Sequence, residues 1–326
     1  MQISWPNFQQ LVILFLVFLF VKESPPNKAL SLEFPTNFTL SPLHLRTYLP
    51  RFAHIHSTRT RRTITINHKM AWTCSGRTNA ELINNMWNAG LIHSERIREA
   101  MISVDRAHYT PSESLAYEDS PQSIGHQATI SAPHMHASAL EYLLPYLGEG
   151  KRVLDVGSGS GYLTAVMAEL VLPSSYSHSS RRSPAGAEAE AQGRKWKVVG
   201  LEHIRALRDM GETNVMKSEE GKKWLREKNV EFVVGDGREG WKGSDEEEGW
   251  DAIHVGAAAK EIHEALIEQL RSPGRMFIPV EDSQRELGGQ HIWVVDKDGE
   301  GKVSKEKLYG VRYVPLTDIP RTAFES

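Results

Sequence analysis

The sequence predicts an α/β fold: a central, mostly parallel sheet with helices on both faces and a helical cap before it. One observation carries most of this. In the run Val153-Leu154-Asp155-Val156-Gly157-Ser158-Gly159-Ser160-Gly161 an apolar strand ends in a glycine-rich turn, and helix-forming residues 162–168 come next. That is the strand–loop–helix entry of a Rossmann-like, cofactor-binding fold. The second observation is a series of further short apolar runs at 198–203, 230–234, 250–257 and 275–280, each read as a strand.

The loop narrows the cofactor. Gly157, Gly159 and Gly161 give G-x-G-x-G, whereas the dinucleotide fingerprint is G-x-G-x-x-G. Asp155 stands two residues before the first glycine and is expected to turn its carboxylate into the crevice. A pyrophosphate would be repelled there. S-adenosylmethionine, with its sulfonium and ammonium, suits the site better. The alternative is a tight turn with no ligand.

Composition sets bounds. A chain of 326 residues has room for one large domain or two small ones. With 40% hydrophobic and 24% charged residues it has the balance of a soluble protein. The formal net charge of −3 gives no global field of the kind that marks a nucleic-acid binder. One cysteine, Cys74, excludes an intrachain disulfide and favours a reducing, cytoplasmic compartment.

Residues 1–69 stand apart. Residues 11–21 are an unbroken apolar run of eleven, too short to span a bilayer comfortably. Its length suits a signal-peptide core, but no Lys or Arg precedes it and no clear cleavage pattern comes after it. Residues 37–69 are basic and lack acids, as in an organelle-targeting arm or a disordered extension. Met70 could itself begin a complete protein, and a dispensable extension is the favoured reading. Asn37-Phe38-Thr39 fits a glycosylation acceptor, which matters only for a secreted chain.

From Thr78 the pattern becomes helical. Thr78-Asn79-Ala80-Glu81 reads as a capping box before Leu82, Ile83, Met86 and Trp87, and Asn88-Ala89-Gly90 ends that helix. Ser94 reads as the cap of a second helix carrying Ile97, Ala100, Met101 and Val104. Residues 119–136 read as a long polar loop, and loops of that length are usually functional or disordered. A helix is expected from Ala137 to about Leu144. Residues 173–195 are a low-complexity insertion, and 245–248 an exposed acidic loop. Glu202 closes the second strand, where such folds place an acid against ribose hydroxyls; as the alternative it is a solvated acid at a helix start. Asp236-Gly237 forms a turn after the third strand. His254, inside the fourth strand, reads as a buried, satisfied histidine rather than a catalyst. Residues 262–270 read as a helix with Ala265, Leu266, Ile267 and Leu270 inward, broken by Ser272-Pro273-Gly274. Residues 290–296 and 307–315 read as a closing pair of strands.

Residues 70–143, with the glycine-rich loop beyond them, resemble the protein-L-isoaspartate (D-aspartate) O-methyltransferase family. The most specific parts are Ser120-Pro121-Gln122-Ser123-Ile124-Gly125 and the run from Gln127 to His136. Trp250-Asp251-Ala252-Ile253-His254-Val255-Gly256-Ala257 is also similar. The likeness runs to about Asp318, so that a methyltransferase domain over 70–318 divides into a cap and substrate loop (70–148) and a cofactor-binding core (149–318). The insertion at 173–195 departs from the family, which joins helix and strand more tightly. Ile319-Pro320-Arg321 departs from its usual polar continuation.

The resemblance implies a class I S-adenosylmethionine-dependent methyltransferase acting on the free α-carboxyl of L-isoaspartyl residues, and on D-aspartyl residues, in damaged proteins and peptides. A carboxylate is ionised at neutral pH and needs no general base, so the site must desolvate and align it. The methyl ester would then close to a succinimide, which reopens partly to normal aspartate. Ser131 is the expected catalytic contact, since its hydroxyl can donate to a carboxylate that only accepts; alternatively it shapes a turn before Pro133. Ile130 and Ser123 are expected to help bind substrate. Ala128, Thr129, Ile130, His136, Asp155, Gly157, Ser158, Gly159, Gly161, Glu202, His203, Asp236, Gly237, Thr317 and Asp318 are expected to hold the cofactor. Among these, Asp236 resembles the family residue that accepts from the adenine amine, and Leu316-Thr317-Asp318 matches the tail that folds back over the cofactor. His134-x-His136 suggests a metal pair, but no third ligand is near in sequence, and no metal is expected. The expected partners are isoaspartyl peptides and not nucleic acid, and the expected state is a monomer. A methyltransferase on RNA or a small acid, and a non-catalytic module that recognises damaged proteins, are the rival readings.

Overall fold

The computed structural model describes residues 74–172, 196–243, 249–282 and 289–318. The expectations for residues 1–69, for the insertion at 173–195, for the acidic loop at 245–248 and for residues 319–321 lie outside the described residues.

Two helices open the described chain, α1 (Asn79–Asn88) and α2 (Glu95–Ser103). Thr78 caps α1 by accepting from the Glu81 amide at 3.1 Å. The return half of the expected box is displaced by one residue: the Glu81 carboxylate accepts from the amide of Arg77, at 3.0 Å, rather than that of Thr78. Ser94 occupies the cap position of α2 without a side-chain bond. Glu141 reaches the segment leading into the helix, its Oε1 accepting from the amides of His93 (2.7 Å) and Ser94 (2.9 Å). A carboxylate from 47 positions away thus fixes the entry to α2, although these are not the first-turn amides that a cap hydroxyl accepts from.

Residues 119–136 are more ordered than a long loop. They hold a hairpin, β1 (Gln122–Gly125) and β2 (Ala128–Ile130), paired antiparallel. Its tip, Gly125-His126-Gln127, has φ of +84°, +49° and +59°. Helix α3 (Pro133–Leu143) starts four residues before the expected Ala137, because Pro133 fits the first helical position, where its missing N–H costs nothing.

The main sheet then assembles from β3 (Arg152–Val156), β4 (Lys197–Glu202), β5 (Val230–Val234), β6 (Trp250–Val255), β7 (Leu270–Glu281), β8 (Gln290–Lys297) and β9 (Val303–Val311). The spatial order is β5-β4-β3-β6-β7-β8-β9. The first five are parallel, and β8 runs antiparallel to both its neighbours. Strand order reverses between β3 and β6, the point at which such sheets open a ligand crevice. Three boundaries differ from expectation. Helix α7 is only Glu264–Gln269, and Leu270 already belongs to β7. Ser272, Pro273 and Gly274 lie within β7 as an irregularity, the pairing passing from Trp250–Leu270 to Ala252–Arg275. Strand β9 begins at Val303 rather than Lys307.

Side chains on alternate positions of the strands feed two cores, as the period of two requires. Val153, Val198, Phe232, Ala252 and Phe277 pack with residues of α1, α2, α3, α4 (Tyr162–Val171), α5 (Arg205–Val215) and α6 (Glu219–Arg226). Leu154, Val199, Ile253 and Met276 pack on the other face with Leu266 and Ile267 of α7. Helices therefore cover both faces, unequally among the described residues. No described helix is long and apolar enough to cross a membrane.

Candidate active site

The ends of β3, β4 and β6 converge on the glycine-rich loop. The Leu201 carbonyl accepts from the amides of Gly157 (2.8 Å) and Ser158 (3.2 Å), and the Val156 carbonyl from Gly256 (2.7 Å). Gly157, Gly159 and Gly161 have φ of +77°, +50° and +83°, conformations that side chains rarely adopt. At Gly161 an added Cβ would also lie 3.0 Å from the backbone of Gly211, so this residue lets α4 and α5 approach each other.

Two adjoining cavities flank the loop. The larger encloses about 910 Å³ out to its open mouth and is walled by Gly157 and Gly159, by Leu201, Glu202 and His203 at the end of β4, by the hairpin tip, and by residues 314–317. The smaller, about 360 Å³, is lined by Ile130, Ser131, His136, Asp155, Ser158, Tyr162 and His254. Thr129, Gly157, Gly159 and Gly256 border both.

Glu202 is buried, not the solvated acid of the alternative reading. Its Oε2 accepts from the Gly159 amide (3.1 Å), and its Oε1 from the amides of His203 (2.9 Å) and Ile204 (3.1 Å). Burial opposes its ionised form, but hydrogen bonds from His203, Ile204 and Gly159 prevail and hold its pKa below the ordinary glutamate value. Asp155 corrects an expectation. Its carboxylate does not project freely into the crevice: Oδ2 accepts from Thr164 Oγ1 at 2.5 Å and Oδ1 from His254 Nδ1 at 2.7 Å. His254 is buried as expected, and its ring stacks on Phe277. The partnership arises because Asp155 and His254 are register partners on β3 and β6. No local sequence signal could show it, since the two are 99 positions apart.

Most of the other expected residues meet at these cavities. Ala128, Thr129, Gly157, Gly159, Glu202, His203, Gly237 and Thr317 line the larger one; Ile130, Ser131, His136, Asp155 and Ser158 line the smaller. Gly237 is also fixed by packing, since a Cβ there would fall 2.5 Å from Val156 Cγ1. Four expected residues line neither cavity. Gly161 turns the chain into α4, and Ser123 is exposed on β1, its hydroxyl accepting from the Gly125 amide at 3.4 Å. Asp236 and Asp318 are joined by Arg238, whose Nε lies 2.9 Å from Asp236 Oδ1 and whose Nη2 donates to Asp236 Oδ2 (2.6 Å) and Asp318 Oδ1 (2.5 Å). His134 and His136 have different partners: His134 donates to Asp119, and His136 packs its ring on Tyr162.

A family profile described as protein-L-isoaspartate(D-aspartate) O-methyltransferase (PCMT) matches residues 77–321. The chain belongs to that family. The protein-L-isoaspartate O-methyltransferase of Caenorhabditis elegans is 44% identical over 248 residues, 76% of this chain and 96% of the relative. Protein-L-isoaspartate O-methyltransferase 1 of Arabidopsis thaliana is 42% identical over 250 residues, again 76% of this chain and 96% of the relative. Among solved structures, a protein-L-isoaspartate O-methyltransferase of Plasmodium falciparum in complex with S-adenosyl-L-homocysteine superposes with a TM-score of 0.59 at 30% identity, covering 74% of this chain and 99% of that one.

Sequence reasoning missed several residues of this protein-L-isoaspartate O-methyltransferase site. His126 and Gln127 line the larger cavity, and their positive φ was hidden by ordinary side chains. Val314 and Pro315 do so because residues 314–316 form a parallel bridge to Ala258, through Ala258 N to Val314 O (2.8 Å) and Leu316 N to Ala258 O (2.7 Å). Tyr162, at the start of α4, lines the smaller cavity, and only its place beside the glycine-rich loop hinted at that.

Proposed function

We propose that this chain transfers a methyl group from S-adenosylmethionine to the free α-carboxylate of L-isoaspartyl residues, and to D-aspartyl residues, with the donor in the larger cavity and the acceptor in the smaller. The chemistry and the cofactor are those of its family: it is a methyltransferase, it uses S-adenosylmethionine, and its acceptors are isoaspartyl residues. The division of labour is our reading of the geometry. The observation that carries it is the shared wall: Thr129, Gly157, Gly159 and Gly256 border both cavities, so that ligands in the two would meet there.

The chain's own residues fit the donor. A loop of positive-φ glycines at a strand end and an ionised Glu202 suit an adenosine-bearing molecule. Glu202 would meet the ribose hydroxyls, and the tail at 314–317 would close over the nucleoside. Bound there, S-adenosylmethionine supplies an electrophilic methyl on a positively charged sulfur. Asp155, which borders the smaller cavity, has both carboxylate oxygens already bonded, to Thr164 and His254.

On the other side, Ser131 and the amides around Ile130 would hold the carboxylate. It is a nucleophile as it stands, being ionised at neutral pH. The site's task is therefore to strip water from it and aim it, and alignment of this kind accounts for up to roughly 7–11 kcal/mol of a barrier. An isoaspartyl residue carries its free carboxylate on a shorter arm than a normal aspartyl side chain, so depth in the smaller cavity discriminates between them. An extended, flexible peptide segment is the form of substrate that reaches it. We place the enzyme in a reducing, cytoplasmic setting, acting as a monomer; the single cysteine supports the compartment.

The test is incubation with methyl-tritiated S-adenosylmethionine and a pair of peptides that differ only in isoaspartyl against aspartyl linkage. Label appears in the isoaspartyl peptide and is lost as the ester closes to a succinimide. Equal labelling of the two peptides, or labelling of neither, defeats the proposal.

A further inference from the structure

Beneath the smaller cavity lies a charge that the transfer as described does not use. Arg106 is fully buried, in a short 3₁₀ turn (Arg106–Tyr109) just after α2. Its Nη2 donates to the Ser131 carbonyl at 2.8 Å. Its Nε and Nη1 are buried, with no hydrogen-bond partner among the described residues. The guanidinium sits 5.3 Å from the ring centre of Tyr162, and the Tyr162 hydroxyl is itself buried and unpartnered among the described residues. Asp119 is buried too: Oδ1 accepts from the amide (3.0 Å) and ring (2.9 Å) of His134, and Oδ2 has no partner among the described residues. Leaving a buried cation this poorly satisfied costs several kcal/mol, so it persists only where something offsets it.

What Arg106 and Asp119 hold is informative. One grips Ser131, which follows β2 and lines the smaller cavity, and the other His134, in the first turn of α3. We propose that Arg106 is the positioning residue of the acceptor site: it fixes the Ser131 backbone and supplies the standing positive charge that makes the cavity select a carboxylate over a neutral group. The inference rests on the acceptor reading of that cavity. Burial and then the Arg106 charge push His136, another wall residue, well below the usual imidazole range, so His136 stays neutral and adds no charge beside the arginine. Tyr162 obeys the same logic, burial raising its hydroxyl to about 12 despite the nearby cation, which leaves it a neutral donor.

The experiment compares wild-type enzyme, Arg106→Gln and Arg106→Lys. With S-adenosylhomocysteine bound, wild type is expected to bind an isoaspartyl peptide at least about tenfold tighter than the same peptide with that carboxylate converted to a primary amide. In Arg106→Gln the preference falls to about twofold or less, and kcat/KM for methyl transfer drops by about a hundredfold through both KM and kcat. Affinity for S-adenosylhomocysteine stays within about threefold, because the arginine lines neither cavity and its bond is to Ser131, which borders only the smaller. Arg106→Lys keeps the charge and recovers the carboxylate preference. The inference is overturned if Arg106→Gln keeps the preference, if the lysine variant is no better than the glutamine, or if donor affinity falls in step with turnover, as for a merely structural residue. Should Arg106→Gln fail to fold, the wild-type comparison decides, and equal binding of carboxylate and amide peptides overturns it. A wild type that methylates no isoaspartyl peptide removes the proposed function itself, which is a separable result.

Discussion

The two cavities share a wall but differ in what borders them. The larger is bordered by a glycine-rich loop, the ends of three strands, a hairpin tip and a tail bridged to Ala258, with apolar residues such as Leu201, Ile204 and Leu316 among them. Its one buried acid, Glu202, is satisfied by three amides. In the smaller, Ser158, His136 and Tyr162 carry buried polar atoms without partners among the described residues. A cleft whose buried acid is already satisfied suits a ligand that is the same in every turnover. A cavity with unspent hydrogen-bonding capacity suits an acceptor presented on many different peptides, of which only a carboxylate is constant. The contrast teaches that specificity and donor affinity are separable here.

Three substitutions probe that separation. Ser131→Ala should have the largest effect, lowering kcat/KM for an isoaspartyl peptide by about 10²–10³-fold, as for the loss of a donor aimed at reacting oxygen, with S-adenosylhomocysteine affinity unchanged by calorimetry. Turnover within a few-fold of wild type would remove Ser131 from the mechanism. Glu202→Gln should weaken the demethylated donor by about tenfold and raise the donor KM while leaving the peptide KM alone. The lowered pKa of Glu202 sets the sign of the pH dependence: its contribution is fully present above the ordinary value of 4.5 and is lost as pH falls through its lower folded value. Donor affinity should therefore show no loss from this group between about pH 7 and about pH 5, and a midpoint above about 5 traced to Glu202 would contradict the hydrogen-bond count. Arg238→Ala should have the smallest effect, about two- to threefold on donor affinity, since it releases the tail from an exposed ion pair with Asp318. A tenfold loss would mean that the tail is held by this pair rather than by the bridge to Ala258.

The boundary between legible and hidden features runs along the same division. The strand, loop and helix at 152–171 were legible because apolar run, glycines and helix formers are contiguous, and each obeys a local rule. Glu202 could be placed because strand ends are where such folds put an acid. The hairpin inside 119–136 was hidden, because its strands of four and three residues are too short for alternation to show. The Asp155–His254 pair and the reach of Arg106 to Ser131 were hidden for another reason: both depend on which strands or turns become neighbours, 99 and 25 positions apart. Asp236 shows the converse, a residue whose family role was readable from its motif while its actual bonds run to Arg238.

One edge of the seven-stranded sheet is β9, where Ser304, Lys305, Glu306 and Lys307 are exposed in succession. An unpaired strand of main-chain donors and acceptors ordinarily invites another extended chain to zip onto it, and charged residues, lysine above all, discourage this. An enzyme whose clientele is aged, partly unravelled polypeptide meets that hazard continually. A charged margin of this kind disfavours annealing along the rim.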